Sequence, residues 1–140
     1  MTKMQYYTVV LDGIDKSGKD LIASYIWRLD KRLNVIARGW PSLYAYNKIF
    51  DRHTDYALPT KMALYVHLDV EIGDWVIRCE TTNEPKIDFN EHSAVFIEAF
   101  NKLIDNGYQT AKFNTSIMTP YQIASNIVAR MKILNKETNQ

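Results

Sequence analysis

Apolar residues occur along the chain in two alternating patterns. Short continuous runs that are rich in β-branched and aromatic residues predict buried strands, and they lie at residues 5–12, 34–39, 62–69 and 108–113. Runs in which apolar residues recur every three or four positions predict helices, and they lie at residues 19–33, 41–50, 71–80, 89–104 and 120–134. Strands that alternate with helices predict a parallel sheet joined by right-handed crossovers. The pattern therefore favours an α/β three-layer sandwich with a small parallel sheet of about four to five strands.

Glycine, proline and threonine mark where some of these elements begin and end. Gly107 follows the last apolar residue of the fourth helix and predicts its C-terminus. Thr119 and Pro120 predict an N-cap followed by a first-turn proline. Residues 81–86 predict a turn or a short lid. Because no Gly/Ser linker, repeat or low-complexity tract interrupts the chain, we expect residues 1–140 to form a single domain.

Composition excludes several classes of protein. The chain has 140 residues, 46% of them apolar, which suffices for one hydrophobic core. Its net charge of +1 argues against a non-specific nucleic-acid binder and leaves a local basic patch open. The single cysteine, Cys79, excludes an internal disulfide and is expected to be a buried apolar residue. No segment approaches the roughly 20 apolar residues that span a bilayer, and no cleavage signal is present, so we expect a cytoplasmic protein without a membrane partner.

The most specific chemical signal is the stretch GIDKSGKD at residues 13–20, between the first predicted strand and helix. A glycine-rich turn in this position directs backbone N–H groups at an anion, and the dipole of the following helix adds to the attraction. The spacing Gly-x-x-x-x-Gly-Lys indicates a phosphate-binding loop. Lys19 would then reach the outer phosphates of a nucleotide.

Asp20 departs from the usual form of this loop, in which a Ser or Thr hydroxyl follows the lysine and ligates Mg²⁺. A carboxylate also binds Mg²⁺, but two like charges about 4 Å apart cost roughly 4 kcal/mol at an effective dielectric near 20. Asp20 equally suits the first turn of a helix, where the dipole favours a carboxylate. Two interpretations stay open: a metal ligand, or a helix-capping residue on a loop that no longer binds tightly.

Together these segments resemble the thymidylate kinase and deoxynucleoside kinase group of P-loop kinases. Residues 9–19 look like that group's first strand and loop, 64–70 like the strand before its lid, 83–88 like the end of the lid, and 113–124 like its last strand and helix. The resemblance implies a P-loop NTPase-like fold in a shortened form. It also implies ATP and Mg²⁺ as cofactors, and transfer of a phosphoryl group to a nucleoside, nucleotide or nucleic-acid hydroxyl.

The resemblance also implies roles for individual residues. Those that would cradle the phosphates of ATP are Gly13, Lys16, Ser17, Gly18, Lys19 and Asp20. Within this set Asp20 would hold the metal, and Lys19 would act in catalysis. Asp15 would face the acceptor and act in catalysis, although aspartate also suits a tight turn. Arg78 would neutralise charge on the transferring phosphoryl group, unless it is a solvated helix arginine.

On the acceptor side, these kinases carry an Asp-Arg pair at a strand end, followed by a serine and an aromatic residue. Residues 35–46 fit that pattern with Arg38, Ser42 and Tyr46 as substrate-binding residues, but Ala37 stands where the aspartate is expected. That carboxylate would act as general base or help to hold Mg²⁺. A second register uses Asp51 and Arg52, which lack a convincing strand before them, so we favour the first.

The altered residues at positions 20 and 37 leave two functional hypotheses. In one, Asp20 supplies the carboxylate that Ala37 lacks, and the enzyme still works. In the other, the fold persists without catalysis, and the protein binds a protein partner or forms a homodimer. The aromatic side chains of residues 40–50 could stack on a base, pack in the core or meet such a partner.

Two further sets of polar residues carry weaker signals. Asp69 closes an apolar strand and resembles a Walker B aspartate, although a simple strand-end residue explains it as well. The three histidines are scattered and lack the spacing of metal ligands, so we expect no zinc site. His67, which lies within an apolar strand, is expected to be structural.

Overall fold

The computed structural model describes residues 6–14, 16–52, 57–82 and 88–138. Within these ranges the chain forms four strands and five helices, in the alternating order that the hydrophobic pattern predicts. The elements are β1 (Thr8–Gly13), α1 (Lys19–Leu29), β2 (Asn34–Ala37), α2 (Trp40–Ile49), β3 (Ala63–Asp69), α3 (Ile72–Thr82), α4 (Phe89–Asp105), β4 (Gln109–Asn114) and α5 (Pro120–Thr138).

The four strands form one parallel sheet in the order β2-β1-β3-β4. In the register of the sheet, Leu11 of β1 pairs with Ala37 of β2 on one side and with Val66 of β3 on the other. Because the strands are parallel, the loops that follow them all leave from the same edge of the sheet. Ligands of open α/β sheets bind at this carboxyl edge, so it is the first place to look for a functional site.

Helices cover both faces of the sheet. Val9 and Leu11 of β1 point to one face, where they join a core with α1 and α5. Val10 points to the other face and packs in a core with α2 and α4. This alternation, with apolar residues on both sides, explains why β1 has a continuous apolar sequence. The predicted three-layer α/β arrangement with a four-stranded parallel sheet is confirmed.

A third apolar cluster lies at the carboxyl edge of the sheet, beneath α3. It contains buried Trp75 and Cys79 of α3, Phe96 of α4 and Ile14 of the loop after β1. The expectation that Cys79 is a buried apolar residue is therefore confirmed. The cluster anchors α3 beside the loop at residues 13–20.

Two details of the helices differ from the sequence-based expectation. Helix α1 ends at Leu29 and not at residue 33, because the Asp30 carboxylate accepts hydrogen bonds from the Arg32 backbone N–H at 3.1 Å and from its guanidinium at 2.9 Å, which closes a turn. Leu21 and Ile104, apolar residues of the runs at 19–33 and 89–104 whose spacing predicts a helix face, are each 53% exposed. Each is the chain neighbour of a fully buried residue, Ile22 or Leu103. One residue along a helix corresponds to a rotation of about 100°, which turns Leu21 and Ile104 toward solvent.

The predicted helix boundaries at Gly107 and Thr119 are confirmed. Gly107 adopts a left-handed φ of 80°, and the chain turns back so that the Tyr108 N–H donates to the Leu103 carbonyl at 3.0 Å. Thr119 Oγ1 accepts from the Gln122 N–H at 3.2 Å, and Gln122 Oε1 accepts from the Thr119 N–H at 2.9 Å, which is a reciprocal capping box.

Some sequence-based expectations fall outside the described residues. The turn or lid expected at residues 81–86 is one of these for residues 83–86. For residues 81 and 82 the expectation is wrong, because α3 continues to Thr82. Across the described ranges, no helix combines the length and the apolar character needed to cross a membrane.

Candidate functional site

The loop between β1 and α1 forms a tight bend at the carboxyl edge of the sheet. Its backbone φ is positive at Gly13 (152°), Lys16 (66°) and Gly18 (94°), and the Ser17 N–H donates to the Ile14 carbonyl at 3.2 Å. A Cβ atom at Gly13 would lie 2.2 Å from the Leu68 carbonyl oxygen of β3. Glycine is therefore required at position 13 by both its backbone conformation and the close approach of β3.

Helix α1 begins at this bend without a capping side chain. Gly18 is its N-cap and contributes no side-chain hydrogen bond, whereas most helices use a Ser, Thr, Asp or Asn oxygen there. The first N–H groups of any helix lack an acceptor within the helix and carry the positive end of its dipole. The amino end of α1 is therefore suited to an external anion.

Lys19 lies inside the bend. Its side chain is buried, and its ammonium donates to the Gly13 carbonyl at 3.1 Å, the Ile14 carbonyl at 3.3 Å and Ser17 Oγ at 3.2 Å. These bonds hold the loop around the ammonium. Two of the predicted phosphate-binding residues, Gly13 and Ser17, thus contact the buried ammonium of a third, Lys19.

A cavity of about 500 Å³ opens beside the loop, toward β2. Asp20, Ala37 and Arg38 line it together with Lys16 and Lys19. The two altered positions of the sequence, Asp20 and Ala37, therefore face the same space. Arg38 has a positive φ of 68°, and its N–H donates to the Leu11 carbonyl at 2.9 Å, which fixes the backbone at the end of β2.

The alternative acceptor-side register is not at this edge of the sheet. Asp51 and Arg52 follow α2 and are exposed, and Arg52 lies over the Phe50 ring at 5.1 Å. Arg38, in contrast, lies directly after β2 and lines the cavity beside the loop. Of the two registers, the favoured one is therefore the one whose arginine lies beside the loop.

Asp12, which the sequence analysis passed over, joins the loop to α2. This last polar side chain of β1 is fully buried, and its carboxylate accepts from the N–H groups of Gly13 (3.0 Å), Gly39 (3.0 Å) and Ser42 (2.8 Å), and from the Ser42 hydroxyl. Desolvation by burial raises the pKa of Asp12, while the hydrogen bonds from Ser42 and the charge of Lys19 act in the opposite direction. Ser42, predicted to bind substrate, is in this structure buried against Asp12.

Arg78 of α3 connects the loop to the segment after β4. Its guanidinium donates to the Lys16 carbonyl at 2.7 Å, to Thr115 Oγ1 at 3.2 Å and to the Thr115 carbonyl at 3.4 Å. Arg78 is therefore not a solvated helix arginine. It is half-buried at the loop and lines a second cavity of about 470 Å³, whose apolar wall includes Leu21, Ile77 and Pro120.

The remaining predicted residues either do not line these two cavities or lie outside the described ranges. Asp15 is one of the residues that the structure does not describe. Tyr46 is half-buried, with its ring 6.1 Å from that of Phe96 and 5.8 Å from that of Phe50. The Asp69 carboxylate accepts from the Val70 N–H at 2.9 Å and lies 3.9 Å from the Lys112 ammonium, as expected of a residue that closes a strand.

His67 has a structural environment, as expected. It is buried in β3 and stacks on Phe100 with ring centres 4.4 Å apart and an interplanar angle of 4°. Burial, with a smaller contribution from the Lys112 charge, lowers the pKa of His67 to about 4. Among the described residues, no group of three or more His, Cys, Asp or Glu side chains is arranged to hold a metal ion.

No protein-family model matches the sequence, and no curated protein matches it significantly. Among solved structures, the chain is similar to the YorR protein of Bacillus subtilis, whose crystal structure is a complex with phosphorylated GDP. The likeness has a TM-score of 0.67 at 16% sequence identity, and it covers 92% of this chain and 98% of YorR. At this level of identity it shows a shared fold, which in the described residues of this chain is an α/β fold with a four-stranded parallel sheet and five helices.

Proposed function

We propose that the protein binds a nucleoside triphosphate, with ATP as the expected donor, and transfers its terminal phosphoryl group to a hydroxyl of a nucleoside, nucleotide or nucleic acid. One observation carries the proposal: a glycine-bent loop surrounds the buried ammonium of Lys19 at the uncapped amino end of α1. A loop with these parts suits a polyphosphate. The shared fold of YorR, which was crystallised with phosphorylated GDP, supports a nucleotide as the ligand.

The phosphates would lie on the loop residues Gly13, Lys16, Ser17, Gly18 and Lys19. A phosphate oxygen is a charged acceptor and forms a stronger hydrogen bond than a neutral carbonyl. It would therefore compete with the bond from Lys19 to the Ile14 carbonyl, which is 3.3 Å long. In this role Lys19 stabilises charge that develops on the transferring group.

The base would occupy the cavity of about 470 Å³ that adjoins the loop. Its apolar lining residues, among them Leu21 and Pro120, offer contact to a flat ring, and Arg78 lines the same cavity. Because Arg78 already donates to the Lys16 carbonyl and to Thr115, it holds the loop and the base cavity in one arrangement. We therefore propose that Arg78 acts first on nucleotide binding, and on the phosphoryl group only if it leaves these partners.

Asp20 fits a magnesium ion that is bound mainly through phosphate oxygens. Mg²⁺ in phosphoryl-transfer sites takes one or two carboxylates, and substrate phosphates and water supply the rest. Asp20 is an exposed carboxylate in the first turn of α1, on the cavity shared with Lys19, which matches that arrangement. When bound, the ion would neutralise charge on the outer phosphates.

On the acceptor side, Arg38 is placed to bind an anionic or hydroxyl group that enters the cavity of about 500 Å³. Ser42 would act indirectly, through its hydrogen bonds to Asp12. Asp15 and Tyr46 remain the proposed contacts to the acceptor. Ala37 contributes no carboxylate, so Asp20 is the acidic side chain that this cavity offers among the described residues.

Calorimetry with ATP and GTP, each with Mg²⁺ and with EDTA, tests the proposal. We expect saturable binding that Mg²⁺ strengthens, and loss of turnover in the Asp20→Thr variant. Glu91→Thr, an equivalent change in the first turn of α4, is the matched control and should leave both unchanged. Absence of binding at millimolar nucleotide in the presence of Mg²⁺ would show that the loop is not a nucleotide site.

A second candidate function is a non-catalytic protein that binds a protein partner or a second copy of itself. The observation that favours it is the packing of Tyr46, the proposed acceptor contact, against Phe96 and Phe50, so that its ring already has partners within the protein. The same experiment separates the two functions. Nucleotide affinity that appears only in Asp20→Thr, and not in the wild type, would support this second function.

A further inference from the structure

A groove leads away from the loop along α1 and β2. It consists of the cavity of about 500 Å³ next to Lys19 and Arg38 and a neighbouring cavity of about 730 Å³, and the two share Asp20 as a lining residue. Four residues of α1 line it, Asp20, Ala23, Ser24 and Trp27, and Lys31 follows two residues after the helix ends at Leu29. From Asp20 to Trp27 the helix rises about 10 Å, and the groove continues beyond Trp27 to Lys31 and Arg32. We call this feature the α1–β2 groove.

Positive charge is concentrated in the α1–β2 groove. Its cations are Lys16, Lys19, Lys31, Arg32 and Arg38. Against them stand the carboxylates of Asp20, of Asp30, which pairs with Arg32 at 2.9 Å, and of buried Asp12, whose charge interacts with that of Lys19. Among the described residues of the groove, five cations and three carboxylates leave an excess of two positive charges, whereas the whole chain carries +1. The groove is therefore the face that complements a polyanion.

Exposed aromatic side chains lie in the same groove. Trp27 is 55% exposed and Tyr7 is 51% exposed, and both line the larger cavity. The Lys31 ammonium lies 5.1 Å from the centre of the Trp27 ring, so a cation and a flat ring are presented together. The other two tryptophans, Trp40 and Trp75, are buried, which makes Trp27 the exposed tryptophan of this chain.

We propose that the α1–β2 groove binds single-stranded nucleic acid, with one end of the strand directed at the loop of residues 13–20. Cations along a groove combined with exposed rings are the features with which proteins bind single strands, because the cations follow the phosphates and the rings stack on unpaired bases. A duplex has no unstacked base to offer Trp27. The proposal names the acceptor class of the proposed phosphoryl transfer and in that sense rests on it, but the binding itself does not require catalysis.

Fluorescence anisotropy tests this with a single-stranded DNA of about 12 nucleotides that carries a 5′-hydroxyl and a 3′-fluorophore. We expect binding that weakens with added salt, because cations displaced from the strand are released to solution. Binding should also quench tryptophan fluorescence through Trp27. Stacking on one base corresponds to roughly a 5- to 100-fold change in affinity, so Trp27→Ala should lose affinity in that range and Trp27→Phe should retain most of it.

Charge variants locate the strand. Lys31→Ala should lower the slope of log affinity against log salt by about 0.7, the value for one phosphate contact of a single strand. Lys102→Ala removes an exposed cation of α4 on the opposite face of the sheet and is the matched control, so its slope should not change. Wild-type affinity in both Trp27→Ala and Lys31→Ala would place the strand elsewhere and overturn the proposal.

The same assay separates the proposal from its alternatives. Equal competition by a duplex or by polyglutamate would show general polyanion binding and overturn it, as would the absence of binding at about 50 mM salt. Calorimetry with ATP is the independent measurement. ATP binding without oligonucleotide binding would refute single-strand binding in the groove and leave the proposed function standing. Oligonucleotide binding without ATP binding would support the groove and refute the proposed function.

Discussion

The hydrogen bond from the Ser42 hydroxyl to Asp12 provides a test of how the site is held together. Asp12 is fully buried, and each of its donors comes from the loop after β1 or from the start of α2. The Ser42→Ala variant removes one donor and leaves the three backbone N–H groups in place. A hydrogen bond to a charged group contributes about 1.5–3 kcal/mol. Because both carboxylate oxygens keep a partner, we expect a loss near 2 kcal/mol in the free energy of unfolding.

The loss should depend on pH, and its sign follows from the raised pKa of Asp12. Below the ordinary value of 3.8 the carboxyl is protonated in both the folded and the unfolded state. As the pH rises, the unfolded carboxyl ionises first, so stability falls until the folded carboxyl ionises too. The Ser42 hydrogen bond lowers the folded pKa. Its removal raises that pKa further, so Ser42→Ala should cost more near neutral pH than at about pH 4.5.

Urea denaturation followed by circular dichroism at these two pH values measures the effect. Ser24→Ala, an exposed serine-to-alanine change within α1, is the matched control and should change stability by less than about 0.5 kcal/mol. A thermal scan should show a decrease of roughly 5–8 °C for Ser42→Ala. A cost equal to that of the control, or a cost larger at acid pH than at neutral pH, would refute the assigned role of Asp12.

Three further changes test other parts of the structure. Burial lowers the pKa of His67 from 6.5 to about 4. Between these values only the unfolded state gains a proton, so acidification from pH 7 to pH 4 should lower the free energy of unfolding by about 3 kcal/mol. In urea titrations His67→Phe should lose this pH dependence, and an unchanged pH profile would contradict the assignment. Gly13→Ala would bring a Cβ to 2.2 Å from the Leu68 carbonyl oxygen, so thermal melting should show a loss of stability above about 3 kcal/mol. Gly73→Ala, with open space around it, is the control and should be neutral or stabilising. Equal melting temperatures of the two variants would be inconsistent with the bend at Gly13. Thr119→Ala should cost about 1 kcal/mol by removing the α5 cap, and Thr119→Ser should restore most of it; a silent Thr119→Ala would mean that α5 does not need the cap.

The sequence predicted well what depends on neighbouring residues. The order of elements follows from hydrophobic periodicity, and the bend at residues 13–20 follows from glycine spacing, because each is decided within a few positions. The end of α1 was missed since it depends on the side chain of Asp30, which closes a turn that apolar spacing does not report. The exposure of Ile104 was missed since the packing partners of α4 decide which neighbouring residue faces inward.

Contacts between distant segments could not be predicted from local patterns. Asp12 and Ser42 are 30 positions apart, and Arg78 meets the Lys16 carbonyl across 62 positions. One signal was available in retrospect: a carboxylate at the end of a continuous apolar strand must find donors when the strand is buried. It does not say where those donors lie, and only the fold shows that they belong to the start of α2.

The cations around Asp20 reduce the repulsion that its carboxylate would exert on a bound phosphate. An isolated carboxylate about 4 Å from a phosphate would cost roughly 4 kcal/mol. In the structure, Lys16, Lys19 and Arg38 line the same cavity as Asp20, so three cations offset part of that repulsion before any metal binds. We therefore expect EDTA to weaken ATP binding without abolishing it, and Arg38→Ala to make the dependence on Mg²⁺ steeper. Calorimetry at several Mg²⁺ concentrations measures both, and an Arg38→Ala protein with the wild-type dependence would show that Arg38 does not share the electrostatic environment of Asp20.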